Sequence, residues 1–132
     1  MTGLRLNQVT LGARDFAASI SFYQNLGLRL IVDSAPRYVR FEFPSSPDGN
    51  EPATLSLHDV PQDWQAPSDG ALIYFEVQDV DAFITEKSLH PITKPEMKTY
   101  KWFEADILDP SGNRIRLYSA GKNRRFPPWR VN

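Results

Sequence analysis

The chain has 132 residues, 41% of them apolar and 23% charged, enough for one globular domain with its own core and too few for two ordinary ones. Its apolar runs are far shorter than a membrane span, its first residues lack an apolar core of signal-peptide length, and the absence of cysteine excludes disulfides, thiolate zinc sites and a Cys nucleophile, all of which fits a cytoplasmic protein. The net charge of -1 conceals a basic tail: residues 120–132 hold Lys122, Arg124, Arg125 and Arg130 and no acid, leaving 11 Lys and Arg against 16 Asp and Glu elsewhere.

In chain order, residues 4–11 read as a strand, with Val9 and Leu11 on one face and Leu6, Gln8 and Thr10 on the other. The spacing then predicts a helix over 15–26, in which Phe16, Ile20, Tyr23 and Leu26 form one apolar stripe. Asp15 stands where a carboxylate caps the first free N–H groups, and Gly27 where a left-handed residue ends the last turn. Strands follow at 28–34, 38–43 and 53–60, the last two joined by the polar turn "PSSPDGNEP" at 44–52.

The second half repeats this order: a strand at 71–77, a helix at 80–87, and strands at 92–98, 102–108 and 115–119, with "DPSGN" at 109–113 as a tight turn. Asp15 and Asp79 superimpose at an offset of 64, about half the chain, so the order is βαβββ twice, with module one at about 1–62 and module two at about 68–119. The predicted class is α+β: two βαβββ modules forming a cup-shaped mixed sheet, with the helices on its outer face. After them comes the basic tail, where Phe126 and Trp129 flank the stiff Pro127–Pro128 pair and suggest a docked terminus. No basic stripe extends from the tail into the domain, which argues against nucleic acid as a partner.

Alternation sorts the strand residues between two faces. Val9, Leu11, Val39, Phe41, Phe43, Leu55, Leu57, Ile73, Phe75, Val77, Ile115 and Leu117 fall toward the helices as core. Opposite them fall Gln8, Thr10, Tyr38, Arg40, Glu42, Thr54, Ser56, His58, Leu72, Tyr74, Glu76, Trp102, Glu104, Asp106, Arg114, Arg116 and Tyr118. Aromatic residues mixed with both signs of charge suit a ligand pocket; the alternative is a solvated sheet face whose charges pair across strands. Four large aromatics favour the pocket, because on an open face they would form an exposed aromatic patch.

Three stretches, "NQVTLGARDFAASISFYQNLGLRL" (7–30), "FEVQDVDAF" (75–83) and "DILDPSGNRIRLY" (106–118), together resemble the vicinal oxygen chelate superfamily, which includes glyoxalase I, bleomycin-resistance proteins and extradiol dioxygenases. The resemblance implies paired βαβββ modules, a cup and often a homodimer. It also implies one divalent metal held by four strand residues, usually His, Gln or Glu, which carry over to Gln8, Ser56, Leu72 and Arg116. Leu72 has no donor atom and a guanidinium has no lone pair to offer, so a divalent metal is disfavoured and no cofactor is expected.

The expectation is therefore a metal-free protein of this type, binding a small anionic or aromatic molecule through Gln8, Tyr38, Arg40, Ser56, His58, Tyr74, Glu76, Trp102, Glu104, Arg114, Arg116 and Tyr118. Arg116 is either an anion clamp, with Trp102 and Tyr38 stacking on the ligand, or a member of a salt-bridge cluster with Glu76, Glu104 and Asp106. His58 is either a general base or a partly exposed polar residue; Ser56 has no base partner in view, and His90 lies in a loop with no assigned role. A glyoxalase-like lyase or isomerase, or a dioxygenase-related enzyme, with a remodelled metal site is the enzymatic alternative. A dimerisation module with a vestigial cup is the structural one.

Overall fold

The structure, a computed structural model, describes residues 3–45, 49 and 51–131. The chain divides into two compact units, residues 1–66 and 67–132. The first contains β1 (Gln8–Ala13), α1 (Phe16–Leu26), β2 (Arg29–Ser34), β3 (Tyr38–Glu42) and β4 (Thr54–Asp59), in a four-stranded mixed sheet of order β1-β4-β3-β2. The second contains β5 (Ile73–Glu76), α2 (Val80–Glu86), β6 (Glu96–Met97), β7 (Phe103–Leu108) and β8 (Arg114–Ser119), in a sheet of order β5-β8-β7-β6. In each unit the first strand pairs parallel with the last, which the intervening helix makes feasible, and the other pairings are antiparallel. A 3₁₀ turn, Gly121–Arg124, follows β8.

The two units repeat in detail. Asp15 Oδ1 accepts from Ala18 N at 3.0 Å, and Asp79 Oδ1 accepts from Ala82 N at 3.0 Å. Val9 pairs with Leu55 as Ile73 pairs with Ile115, so Thr10–Ser56 and Tyr74–Arg116 occupy one register in the two sheets. Both helices end on a left-handed residue: Gly27 with φ 107° closes α1, and Ser88 with φ 55°, just after Lys87, closes α2.

Each core lies between the helix and one sheet face. In the first unit Val39, Phe41, Leu55 and Leu57 are fully buried, and the Tyr23 ring of α1 lies 5.6 Å from that of Phe41. In the second, Phe75, Ala105, Ile107, Ile115 and Leu117 are buried. Each large aliphatic chain so removed from water contributes about 1.5–3 kcal/mol.

Several expected boundaries shift. The strand expected over 4–11 begins only at Gln8, because its partner β4 starts at Thr54 and residues 4–6 find no ladder; Leu4 and Leu6 are exposed. In α1 the buried stripe is Phe16, Ser19, Tyr23 and Leu26, while Ile20 sits half-buried at its margin. The strand expected over 92–98 shrinks to Glu96–Met97: Pro95 has no N–H for a ladder, and the chain turns back where Lys101 N donates to Lys98 O at 2.9 Å. Of the turn expected at 44–52, residues 46–48 and 50 lie outside the described residues. The turn at 109–113 forms around the buried Asp109 carboxylate, which accepts from Ser111 N and Asn113 N, each at 2.9 Å, and from Asn113 Nδ2 at 2.8 Å. Among the described residues no helix is long and apolar enough to cross a membrane.

Candidate functional site

The face turned away from the helix differs sharply between the units. In the first it is a short-range polar net. Thr10 and Ser56 share a hydroxyl–hydroxyl hydrogen bond of 2.6 Å, and Ser56 is fully buried. Arg40 Nε donates to Tyr38 Oη at 3.0 Å, and Tyr38 Oη donates to Gln8 Oε1 at 3.3 Å. Burial raises the Tyr38 hydroxyl pKa, but the hydrogen bonds from Arg40 and Ser56 outweigh it and leave the value below that of an ordinary tyrosine. His58 lies at the exposed end of β4 with Nδ1 3.1 Å from Asp59 O, an interaction with its neighbour rather than with this net. At Gly12 the face is covered: an added Cβ would stand 2.8 Å from Val60 Cγ1 and 3.0 Å from the Trp64 ring.

In the second unit the face carries charge below and aromatic rings above. Arg116 donates from Nε to Asp106 Oδ1 at 2.7 Å and from Nη2 to Asp106 Oδ2 at 2.9 Å, the bidentate geometry that suits a guanidinium and a carboxylate. Its Nη1 reaches Tyr74 Oη at 3.2 Å and Glu104 Oε1 at 3.3 Å. Arg114 Nε donates to the same Asp106 at 2.6 Å. Burial alone would raise the Asp106 pKa; the bonds from Arg116 and Arg114 overcome it and hold the carboxyl below the usual range. Of the two roles expected for Arg116, the salt-bridge cluster describes its contacts, with Asp106 and Glu104 as partners. Glu76, expected in that cluster, pairs instead with Arg124 Nε of the tail at 3.1 Å.

Above the cluster, Trp102 and Tyr118 stack with centroids 4.3 Å apart and 13° between planes. Tyr74 meets both edge-on at 5.8 Å, and Arg116 lies 5.4 Å from the centre of its ring. Tyr100 stands edge-on to Trp102 at 6.5 Å and gives its hydroxyl to Glu104. Burial and that bond push the Tyr100 pKa up to about 12. The tail closes the arrangement: Trp102 Nε1 donates to Asn123 O at 3.0 Å. Between sheet and tail is an open hollow of about 330 Å³, lined by Tyr74, Tyr100, Trp102, Asn123, Arg124, Pro127 and Trp129.

Of the twelve residues expected to bind ligand, Tyr74 and Trp102 line this hollow. Tyr118, Arg116, Glu104 and Arg114 support it from below or beside, and Glu76 holds Arg124. Gln8, Tyr38, Arg40, Ser56 and His58 belong to the other unit. The other five lining residues, Tyr100, Asn123, Arg124, Pro127 and Trp129, were not among those expected; the docking signal in "RFPPW" was the available pointer, though it gave equal weight to Phe126, which lies outside the hollow and under Arg130 at 4.2 Å.

The four positions at which the resemblance implies metal ligands do not fit a divalent cation. Gln8 Oε1 already accepts from Tyr38, and the Ser56 hydroxyl is shared with Thr10. Leu72 has no donor, and Arg116 brings a positive charge in place of a lone pair. Among the described residues no three His, Asp or Glu side chains are grouped to hold an ion.

Comparison with known proteins agrees with this fold. A family model, "Glyoxalase/Bleomycin resistance protein/Dioxygenase superfamily", matches residues 5–117. A crystal structure of a glyoxalase/bleomycin resistance protein/dioxygenase from Nocardioides is 17% identical with a TM-score of 0.70, covering 100% of this chain and 92% of that one. A lactoylglutathione lyase from Agrobacterium tumefaciens is 19% identical (TM-score 0.65, covering 90% and 96% of the two chains). A bleomycin-binding protein complexed with bleomycin is also 19% identical (TM-score 0.64, covering 89% and 98%). At these identities the likeness is one of fold. No curated protein matches.

Proposed function

As the chain belongs to the glyoxalase/bleomycin resistance protein/dioxygenase superfamily, we propose that it binds a small flat aromatic molecule on the second unit and does so without the metal its relatives' chemistry would call for. One observation carries this: the hollow bordered by Tyr74, Tyr100, Trp102 and Trp129 is the right size for a small ligand and is walled mainly by rings, while the sheet beneath it is already neutralised by paired charges. Offset stacking against Trp102 or Trp129 supplies affinity; the tail residues Pro127 and Trp129 keep water from the ligand's outer side.

The test is calorimetric titration of chelator-dialysed protein with 2-naphthamide, a flat neutral probe. Saturable binding that W102A removes, and that added zinc or nickel leaves unchanged, supports the reading. Binding only after metal is added, or metal-dependent turnover of the hemithioacetal of methylglyoxal and glutathione, would replace it with a lyase that has a remodelled site. Absence of binding with intact fold would favour the dimerisation module.

A further inference from the structure

The charges around the hollow are unevenly committed, and this names the ligand more closely. Beneath it, Arg114 and Arg116 are matched by Asp106 and Glu104, all four held in hydrogen bonds or ion pairs within the sheet. The polar groups that the wall takes from outside the tail are committed as well: Tyr100 to Glu104, Tyr74 to Arg116, Trp102 to Asn123 O. The one charged side chain in the wall is Arg124. Hydrogen bonding to the Tyr118 hydroxyl and the nearby Glu76 carboxylate both favour its charged form; neither residue is in the wall, and the ion pair with Glu76 is half-exposed on both sides, a setting in which it is weak and readily exchanged. Beside it, the Asn123 Oδ1 atom is buried without a hydrogen-bond partner. The neighbouring tail adds Lys122, Arg125 and Arg130 with no acid between residues 120 and 132.

We infer that the hollow takes an aromatic acid: a flat ring seated among Tyr74, Trp102 and Trp129, with its carboxylate taken by Arg124 in exchange for Glu76. Arg124 offers the planar fork that matches a carboxylate, and a guanidinium sheds its water more easily than an ammonium. The inference rests on the proposed binding of flat aromatics and adds the charge of the ligand, which that proposal leaves open.

The experiment compares 2-naphthoate with 2-naphthamide, which share ring and shape and differ in charge, by calorimetry on the full chain at low salt. The expected result is a preference of about tenfold for the acid, the scale of one hydrogen bond to a charged group. The preference falls as salt is raised. R124Q brings the ratio of the two constants to within about twofold of one. E76Q, which removes the competing carboxylate, raises it. R125Q, altering a tail charge outside the wall, keeps the ratio of the unaltered protein and separates a specific contact from general tail charge. Equal affinity for the two probes, or a preference that R124Q retains, overturns the inference while leaving aromatic binding standing. Failure of both probes to bind overturns the underlying reading with it. Circular dichroism of each variant establishes that it is folded.

Discussion

Replacing Asp106 with Ala removes the common acceptor of two guanidiniums and tests how the candidate face is held together. Asp106 is almost fully buried and receives three hydrogen bonds of 2.6–2.9 Å from Arg114 and Arg116. Bonds of this charged kind contribute about 1.5–3 kcal/mol each when one partner is deleted and the other stays dry. Here the arginine side chains keep 39% and 19% of their exposure, so water recovers part of the loss. The expected cost is about 3 kcal/mol, at the lower end of what breaking a buried ion pair incurs. For a chain of this length that is a fall in Tm of about 12 °C. Urea unfolding followed by circular dichroism measures it directly. R116M on the D106A background adds little more, giving a coupling of about 2 kcal/mol between the two positions. The pH dependence is fixed in sign. The folded carboxyl titrates below the unfolded value of about 4, so its contribution is complete above that value and is lost as pH falls through the folded one. D106N should flatten that acid limb. A cost under about 1 kcal/mol for D106A would mean that the arginines are satisfied by water, and the paired-charge account of this face would fail.

Further outcomes follow from other sites. D15A and D79A each remove one N-cap bond at equivalent positions and should each cost about 1 kcal/mol in urea unfolding, the equality itself testing the repeat. G12A forces a methyl group to within 2.8 Å of Val60 Cγ1 and should cost about 1–3 kcal/mol, with a shifted Trp64 emission spectrum. Tyr100, with its hydroxyl pushed up to about 12, favours the protonated folded state, so its contribution is complete below the unfolded value of about 10 and is lost as pH rises through 12. Y100F should remove this alkaline limb in a pH series of thermal unfolding.

The repeat was legible because it rests on local physics. Two capping aspartates, a glycine stop and alternating strands leave their marks within a few residues, whereas the fifth strand, expected from residue 71, begins only at Ile73 and leaves Leu72 outside it. Register sharpened the repeat: Thr10–Ser56 and Tyr74–Arg116 are the same cross-strand pair filled by different chemistry. What periodicity misses is the order of partners across a sheet. Glu76 alternates with Tyr74 onto the same face as Arg116, yet Arg124, reaching back from beyond the last strand, is what it meets. On α1 the polar Ser19 is buried while Ile20 stays at the margin, an order that apolarity alone does not give. Tyr100 and the tail lie in no periodic element, so their place in the hollow could come only from tertiary structure.

Four of the seven residues around the hollow lie in the last dozen positions, outside both sheets, and the match to the family ends at residue 117, before any of them. The matched family pattern therefore takes in both sheets and three of the lining residues, Tyr74, Tyr100 and Trp102, but not these four. A few substitutions or a change of length in that segment would reshape the hollow while every strand pairing stays as it is. Relatives that share only the two sheets therefore say little of the hollow's outer wall, and the informative comparison is between proteins that share its tail.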